Sequence, residues 1–311
     1  MKVSHISKII KASVLATALL TTFASNVNAE MLVALTTTNE IGMFDSSQNN
    51  TVNTNAFNDI TGTAAGETFV GIDLRPSNNM IYGITSANNI YTIDAWTGVS
   101  TFVANLSQSI IDTANKSYGI DFNPVVDRTP NASLRLVSST GDNYGINVTT
   151  GAVTVATSIA AGFTGVAYLN SDASTPTVTP ASTELFYINT STDTLASASS
   201  SFNNPTITTK GSLGLDIQST SGFEITSAGN AFGAFNISGN NSNLKSHLYS
   251  VNLATGAAVE IGYFTGGVVS GLTSASVTQG PISAIPEPET YAMLLAGLGL
   301  LGFSARRKNT K

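Results

Sequence analysis

A unit of strands and turns is written repeatedly along this chain, and that repetition narrows the folds open to it. Residues 31–45, Met-Leu-Val-Ala-Leu-Thr-Thr-Thr-Asn-Glu-Ile-Gly-Met-Phe-Asp, align without a gap on residues 80–94, Met-Ile-Tyr-Gly-Ile-Thr-Ser-Ala-Asn-Asn-Ile-Tyr-Thr-Ile-Asp. Each copy reads as strand, turn, strand, with apolar positions alternating as in strands that bury one face. A fixed turn follows the second strand. It is Asp94-x-x-Thr97-Gly98, then Asn147-x-x-Thr150-Gly151, then Asn252-x-x-Thr255-Gly256, with weaker copies at Asn189-x-x-Thr192-Asp193 and Asp45-x-x-Gln48-Asn49. Asp or Asn bonds the backbone two residues on, and the last position takes a residue that tolerates positive φ. A second landmark opens each unit: Gly71-Ile72-Asp73, Gly119-Ile120-Asp121, Gly165-Val166-Ala167, Gly222-Phe223-Glu224 and Gly271-Leu272-Thr273.

The landmarks are spaced by 48, 46, 57 and 49 residues. Repeats of about 40–50 residues holding about four strands each predict an all-β, propeller-like domain over residues 30–278, with about five blades. The mature chain starts at the second strand of a unit and ends, at Gly271 to Thr278, with a first strand. The N- and C-terminal strands are therefore expected to share one blade, which closes the ring and removes its open edges. The fourth unit is irregular. Residues 170–183 and 201–221 carry extra Ser, Thr, Pro and Asn, as loops or as a partial blade. A six-bladed ring and an irregular β-sandwich thus stay open as alternatives. Through its Gly-Ile-Asp-Phe/Leu-x-Pro starts, Gly71 to Pro76 and Gly119 to Pro124, and its Tyr-x-Ile-Asp-x-x-Thr-Gly units, the body resembles the domain-of-unknown-function 4394 family over most of residues 30–277. Those motifs are structural, so the resemblance supports the fold and implies no activity.

Both ends read as targeting segments. Lys2, Lys8 and Lys11 precede the apolar stretch 12–24, and Val27-x-Ala29 supplies small residues, which predicts a signal peptide over 1–29 cut between Ala29 and Glu30. Near the other end, residues 279–290 form a linker holding Pro286, Glu287 and Pro288. Proline fixes φ and donates no hydrogen bond, so this piece should stay extended, as a processing enzyme needs. An apolar segment over 291–305 follows, then a basic tail over 306–311 with Arg306, Arg307 and Lys308. At about 1.5 Å per residue that segment spans roughly 22 Å as a helix, short of the hydrocarbon thickness of about 30 Å. The basic flank still makes it a stop-transfer helix with its cations on the cytoplasmic side. Gly297-x-Gly299-x-x-Gly302 spells a dinucleotide fingerprint, but it lacks the preceding strand that motif requires. Glycines at that spacing suit close helix packing in a membrane. Proline pair, apolar helix and basic cluster together resemble the PEP-CTERM sorting signal of Gram-negative bacteria. The resemblance implies recognition by an exosortase at the inner membrane, processing near Pro286–Pro288, and transient anchoring through the helix. Export to the cell surface or to an exopolysaccharide-rich biofilm matrix is implied with it.

Composition removes several functions. There is no cysteine, so disulfides, thiol catalysis and cysteine-ligated zinc are out. Residues 30–285 carry seventeen acidic side chains against six basic ones, a net charge of −11. Such a body repels nucleic acid and anionic lipid.

Asp73, Asp121 and Glu224 are the best chemical candidates, because they hold equivalent positions in three units. If the first strand is innermost, their carboxylates converge on a central channel. There they would hold a hard cation such as calcium, or act as acid and base on a sugar. The plainer alternative is that an acidic residue beside a strand-initial glycine bonds nearby backbone or faces solvent. Ala167 and Thr273 stand at the other two places, so the set is incomplete. His247 is alone outside the signal peptide and makes neither a histidine metal cluster nor a triad. Trp96, inside a turn, would stack on a sugar or cover its own hairpin. The expectation is a non-catalytic surface or matrix protein that binds exopolysaccharide or another surface component, with no cofactor. A secreted hydrolase using a carboxylate or metal site in the channel is the alternative.

Overall fold

The computed structural model describes residues 29–47, 51–131, 133–175, 177–237 and 245–275. The predicted signal peptide, the Pro286–Pro288 motif, the helix over 291–305 and the basic tail lie outside these residues. Among the described residues, no helix is long and apolar enough to cross a membrane.

Five sheets, antiparallel except for one short rim strand, form the blades of a propeller. Blade 1 contains β1 (Met31–Thr36) and β2 (Glu40–Asp45); β3 (Thr51–Val52) leaves it, and β4 (Asn58–Asp59) returns to its edge. Blade 2 is β5 (Phe69–Arg75), β6 (Met80–Thr85), β7 (Asn89–Ile93) and β8 (Ser100–Asn105). Blade 3 is β9 (Tyr118–Phe122), β10 (Leu134–Ser138), β11 (Asn143–Ile146) and β12 (Val153–Val155). Blade 4 is β13 (Phe163–Tyr168), β14 (Leu185–Asn189), β15 (Thr194–Ala198) and β16 (Thr208–Ser212). Blade 5 is β17 (Ile217–Ile225), β18 (Ala231–Ile237), β19 (Ser246–Val251) and β20 (Ala258–Phe264). The last strand, β21 (Val269–Ser274), is the innermost strand of blade 1, pairing with β1 from Leu32↔Ser274 to Thr36↔Val269. The ring is closed as the phase of the repeat predicts.

A second closure was not legible in the pattern. β3 lies parallel to β20, with Thr51 beside Tyr263 and Val52 beside Phe264, and so becomes a fifth strand of blade 5. One short N-terminal segment therefore ties blade 1 to blade 5 at the rim while β21 ties them at the axis. Glu30 adds a third link, its carboxylate accepting from the Asn230 amide at 2.9 Å.

Apolar alternation places a hydrophobic cluster between each pair of neighbouring blades. Leu35 and Ile41 meet Ile72 and Ile81 between blades 1 and 2, and Ile84 and Ile90 meet Ile120 and Leu136 between blades 2 and 3. Val137 meets Tyr187, Phe186 meets Phe223, and Phe232 and Phe264 meet Leu32 and Phe44 round the rest of the ring. Each blade is thus buried on both faces, so its stability comes from its neighbours.

The long fourth unit holds loops, not a sixth blade. Residues 170–183 link β13 to β14. Within them Ala173 is buried in the cluster of blades 1 and 2, and Arg128 donates to the Thr175 carbonyl at 3.2 Å. This loop reaches from blade 4 across one end of the ring to blades 1–3.

Candidate functional site

The innermost strands β5, β9, β13, β17 and β21 contact one another in turn around the axis. At one end of these strands the five landmark glycines form a ring. A side chain on Gly71 would press on Ile120 of the next blade. One on Gly119 would press on the Thr164 carbonyl, on Gly165 against Phe223, on Gly222 against Leu272, and on Gly271 against Ile72. At Gly119 and Gly222 the next inner strand comes too close for a Cβ, at 2.8 and 2.7 Å, and at Gly71, Gly165 and Gly271 a Cβ would sit tightly at 3.1 Å. The axial space they surround is about 10 Å³, room for one water at most.

Two residues further along these strands lies the predicted set of carboxylates. Asp73, Asp121 and Glu224 are all buried, and one oxygen from each lies within 4.8 Å of those of the others. Their hydrogen bonds follow a rotating rule. Asp73 accepts the Phe122 N–H of the next blade at 2.7 Å, and Asp121 accepts the Tyr168 N–H of the next at 3.0 Å. Glu224 accepts from the Ser274 hydroxyl and backbone. Thr273 stands in for an acid in blade 1: its hydroxyl accepts the Leu74 N–H at 2.9 Å and donates to Asp73 at 2.9 Å. Ala167 breaks the rule, having no acceptor to offer. The Ile225 N–H it would have served is taken by Glu224 itself. One extra methylene lets a single carboxylate do two jobs.

Burial, more than any other cause, pushes the Asp73 carboxyl up to about 7, against which its hydrogen bonds from Phe122, Thr273 and Leu74 pull. Asp121 is held well above the usual carboxylate range by burial, then by the charges of Asp73 and Glu224. Glu224 is raised in the same way, by burial and then by Asp73. Three carboxylates this close cannot all ionise in a dry site, so they share protons or surround a cation. Calcium takes six to eight oxygens. Here the Asp73 oxygens, and one each of Asp121 and Glu224, already accept bonds from neutral donors of adjacent blades. That donor set fits shared protons better than calcium. The three acids converge and bond the backbone of the next blade, and none faces solvent, so one buried cluster clasps blades together.

The other candidates stay apart from it. His247, on β19, meets Glu260 at 3.0 Å on the outer part of blade 5. Trp96 is 51% exposed. Its turn is built as predicted: the Asp94 carboxylate accepts from the Trp96 and Thr97 N–H groups, and Gly98 has φ +75°. Asn147 with Gly151 and Asn252 with Gly256 repeat it.

Five blades, a narrow axis and a buried clasp of acids define a small β-propeller. The chain belongs to the family described as "Domain of unknown function (DUF4394)", which matches residues 40–273. The PEP-CTERM protein-sorting motif matches residues 284–308, which marks the chain as one sorted by an exosortase to the cell surface or beyond. No curated protein matches it. Similar solved structures include the calcium-binding protein regucalcin from Agrobacterium tumefaciens, 11% identical, with a TM-score of 0.42 over 79% of each chain. Another is YCF48 bound to D1 peptide, 9% identical, with a TM-score of 0.37 over 78% of this chain and 64% of that one. Nothing about a ligand or an activity follows from these likenesses.

Proposed function

We propose that this is a non-enzymatic surface protein, released or anchored by exosortase processing, whose propeller binds exopolysaccharide. The observation that carries the reading is the state of the axis. Propellers offer a ligand their central channel, yet here the glycine ring leaves about 10 Å³ and the acids beyond it are buried in bonds between blades. A general acid or base must reach the proton it moves. Asp73, Asp121 and Glu224 face one another, backbone N–H groups and the hydroxyls of Thr273 and Ser274. The sorting motif supports a destination at the cell surface or beyond it, where exopolysaccharide is the ligand this reading assigns.

The test uses the mature propeller, residues 30–285, on glycan arrays and against a panel of polysaccharide and lactone substrates. Retention of polysaccharide without turnover is expected. Turnover abolished by Asp121→Asn would replace this reading with the hydrolase alternative.

A further inference from the structure

We infer that the cleft between blades 3 and 4 is a site for a carboxylate-bearing sugar, held by Arg135. This rests on the polysaccharide-binding reading above and gives it a place and a ligand class.

Arg135 lies on β10, in register with Asp121 on β9 and Gly145 on β11. Residues in register share a sheet face, so Arg135 points into the layer between blades 3 and 4. Gly145 brings no side chain, and the outer part of that layer opens into a cleft of about 520 Å³. Small-ligand sites occupy about 300–1,000 Å³. The axis is closed by comparison.

Arg135 is only 7% exposed. Its guanidinium donates to the side-chain Oδ1 of Asn143 and, across the cleft, to the side-chain Oδ1 of Asn203, both at 2.9 Å. Both acceptors are neutral. Arg75, Lys116 and Lys210 each form an ion pair, whereas Arg135 forms none among the described residues. A buried charge without a counter-charge is costly, and more so here because the donors are not used up. The Arg135 Nε is buried at the floor with no hydrogen-bond partner among the described residues, beside a Tyr168 hydroxyl that is within reach of Arg135 and Asn123. An unspent buried donor on a charged group marks a place where something else belongs.

The walls say what that is. Asn123, Asn131, Asn203 and Asn204 line the cleft with amides that both donate and accept, the pattern that vicinal hydroxyls need. Phe202 stands edge-on to Tyr168 with ring centroids 5.0 Å apart, and its half-buried face suits the C–H side of a sugar ring. A planar guanidinium pairs with a planar carboxylate through two parallel bonds. Hydroxyls, a C–H face and one carboxylate together describe a uronic acid residue.

The experiment is calorimetry of residues 30–285 with hexuronate oligosaccharides, with neutral and sulfated oligosaccharides of equal length, and with the variants Arg135→Gln and Thr154→Trp. Thr154 is an exposed rim residue on β12, so the indole blocks the cleft without entering the core. The native protein should prefer the uronide, Arg135→Gln should lose about ten- to a hundredfold in affinity for it, and Thr154→Trp should lose binding altogether. Thermal melting checks the fold of each variant, and the occluding variant keeps the test alive if Arg135→Gln unfolds. Uronide binding unchanged by Thr154→Trp would overturn the site. So would tighter binding of the neutral or sulfated sugar, and in both cases the polysaccharide-binding reading would stand. Binding of none of the three would sink both.

Discussion

The Asp73 carboxylate accepts the backbone N–H of Phe122, one blade further round the ring, at 2.7 Å. With Asp121 on Tyr168 and Thr273 on Leu74, it makes the innermost strands hold one another by side chain to backbone as well as by packing. Five strands converge on an axis too narrow for side chains at the glycine ring. Two residues on, the gap is wide enough for a carboxylate and too dry for a free one.

Asp73→Ala should destabilise the propeller by about 2–4 kcal/mol, because it orphans the Phe122 N–H and the Thr273 hydroxyl in a buried place. Asp73→Asn keeps an acceptor and carries no charge. It should melt close to the native protein at pH 5 and above it at pH 8. Denaturant titration of the three proteins at both pH values decides this; equal losses for Ala and Asn would show that the acceptor is not what matters.

The raised carboxyls set the pH dependence. Below pH 3.8, the ordinary aspartate value, folded and unfolded chains both carry the Asp73 proton. Between there and about 7 the unfolded chain loses it while the folded one keeps it, so stability falls as pH rises through that window. The loss is on the order of a few kcal/mol. Asp142, Asp172 and Glu184 act the other way: hydrogen bonds and, for two of them, a lysine hold their carboxyls low, and their contribution disappears as pH falls. Melting temperature should peak on the acid side of neutrality and decline towards pH 8. Neither calcium nor a chelator should shift the curve. A melting temperature that rises from pH 5 to 8, or one that calcium raises at pH 8, would refute proton sharing.

Much of this was readable beforehand. The Gly-x-acid landmark marks the inner strand because only glycine fits at Gly119 beside the Thr164 carbonyl, and the Asx turns at Asp94, Asn147 and Asn252 need only local chemistry. Equivalent repeat positions also brought Asp73, Asp121 and Glu224 together. The parallel β3–β20 pairing was hidden, since two residues carry no periodicity and their partners lie over 200 positions away. So was the Arg135 cleft: its far wall, Asn203, is 68 residues on in an irregular loop. A lone arginine on a strand announces no partner; its neutral surroundings become visible only when blades 3 and 4 are set side by side.

Two glycines separate the costs of conformation and of crowding. Gly151 has φ +73°, and a Cβ there would collide with the Asn105 carbonyl of blade 2. Gly229 has φ +81° with open space around it. Gly229→Ala should cost about 1–2 kcal/mol, the left-handed penalty alone. Gly151→Ala should cost more, since the outer contact of blades 2 and 3 must also part. Urea unfolding of the two variants measures the difference, and equal losses would show that the turn of blade 3 can retreat freely.

Removal of the tail should separate sorting from folding. β21, the strand that closes the ring, ends at Ser274, and the last bond to the blade among the described residues is the Ala275 N–H on the Met31 carbonyl at 2.9 Å. The Pro286–Pro288 motif begins beyond that bond, inside the matched sorting segment 284–308. A chain lacking residues 286–311 therefore keeps every described strand pairing and should melt within about 1 °C of the full mature protein. In cells with an active exosortase it should be exported by its signal peptide yet fail to pass through the membrane-bound stage. Fractionation with an antibody to the propeller reads this directly. The same membrane-bound pool with and without the tail would mean that the sorting motif is not the handle, and a large fall in melting temperature would mean that the tail is part of the fold.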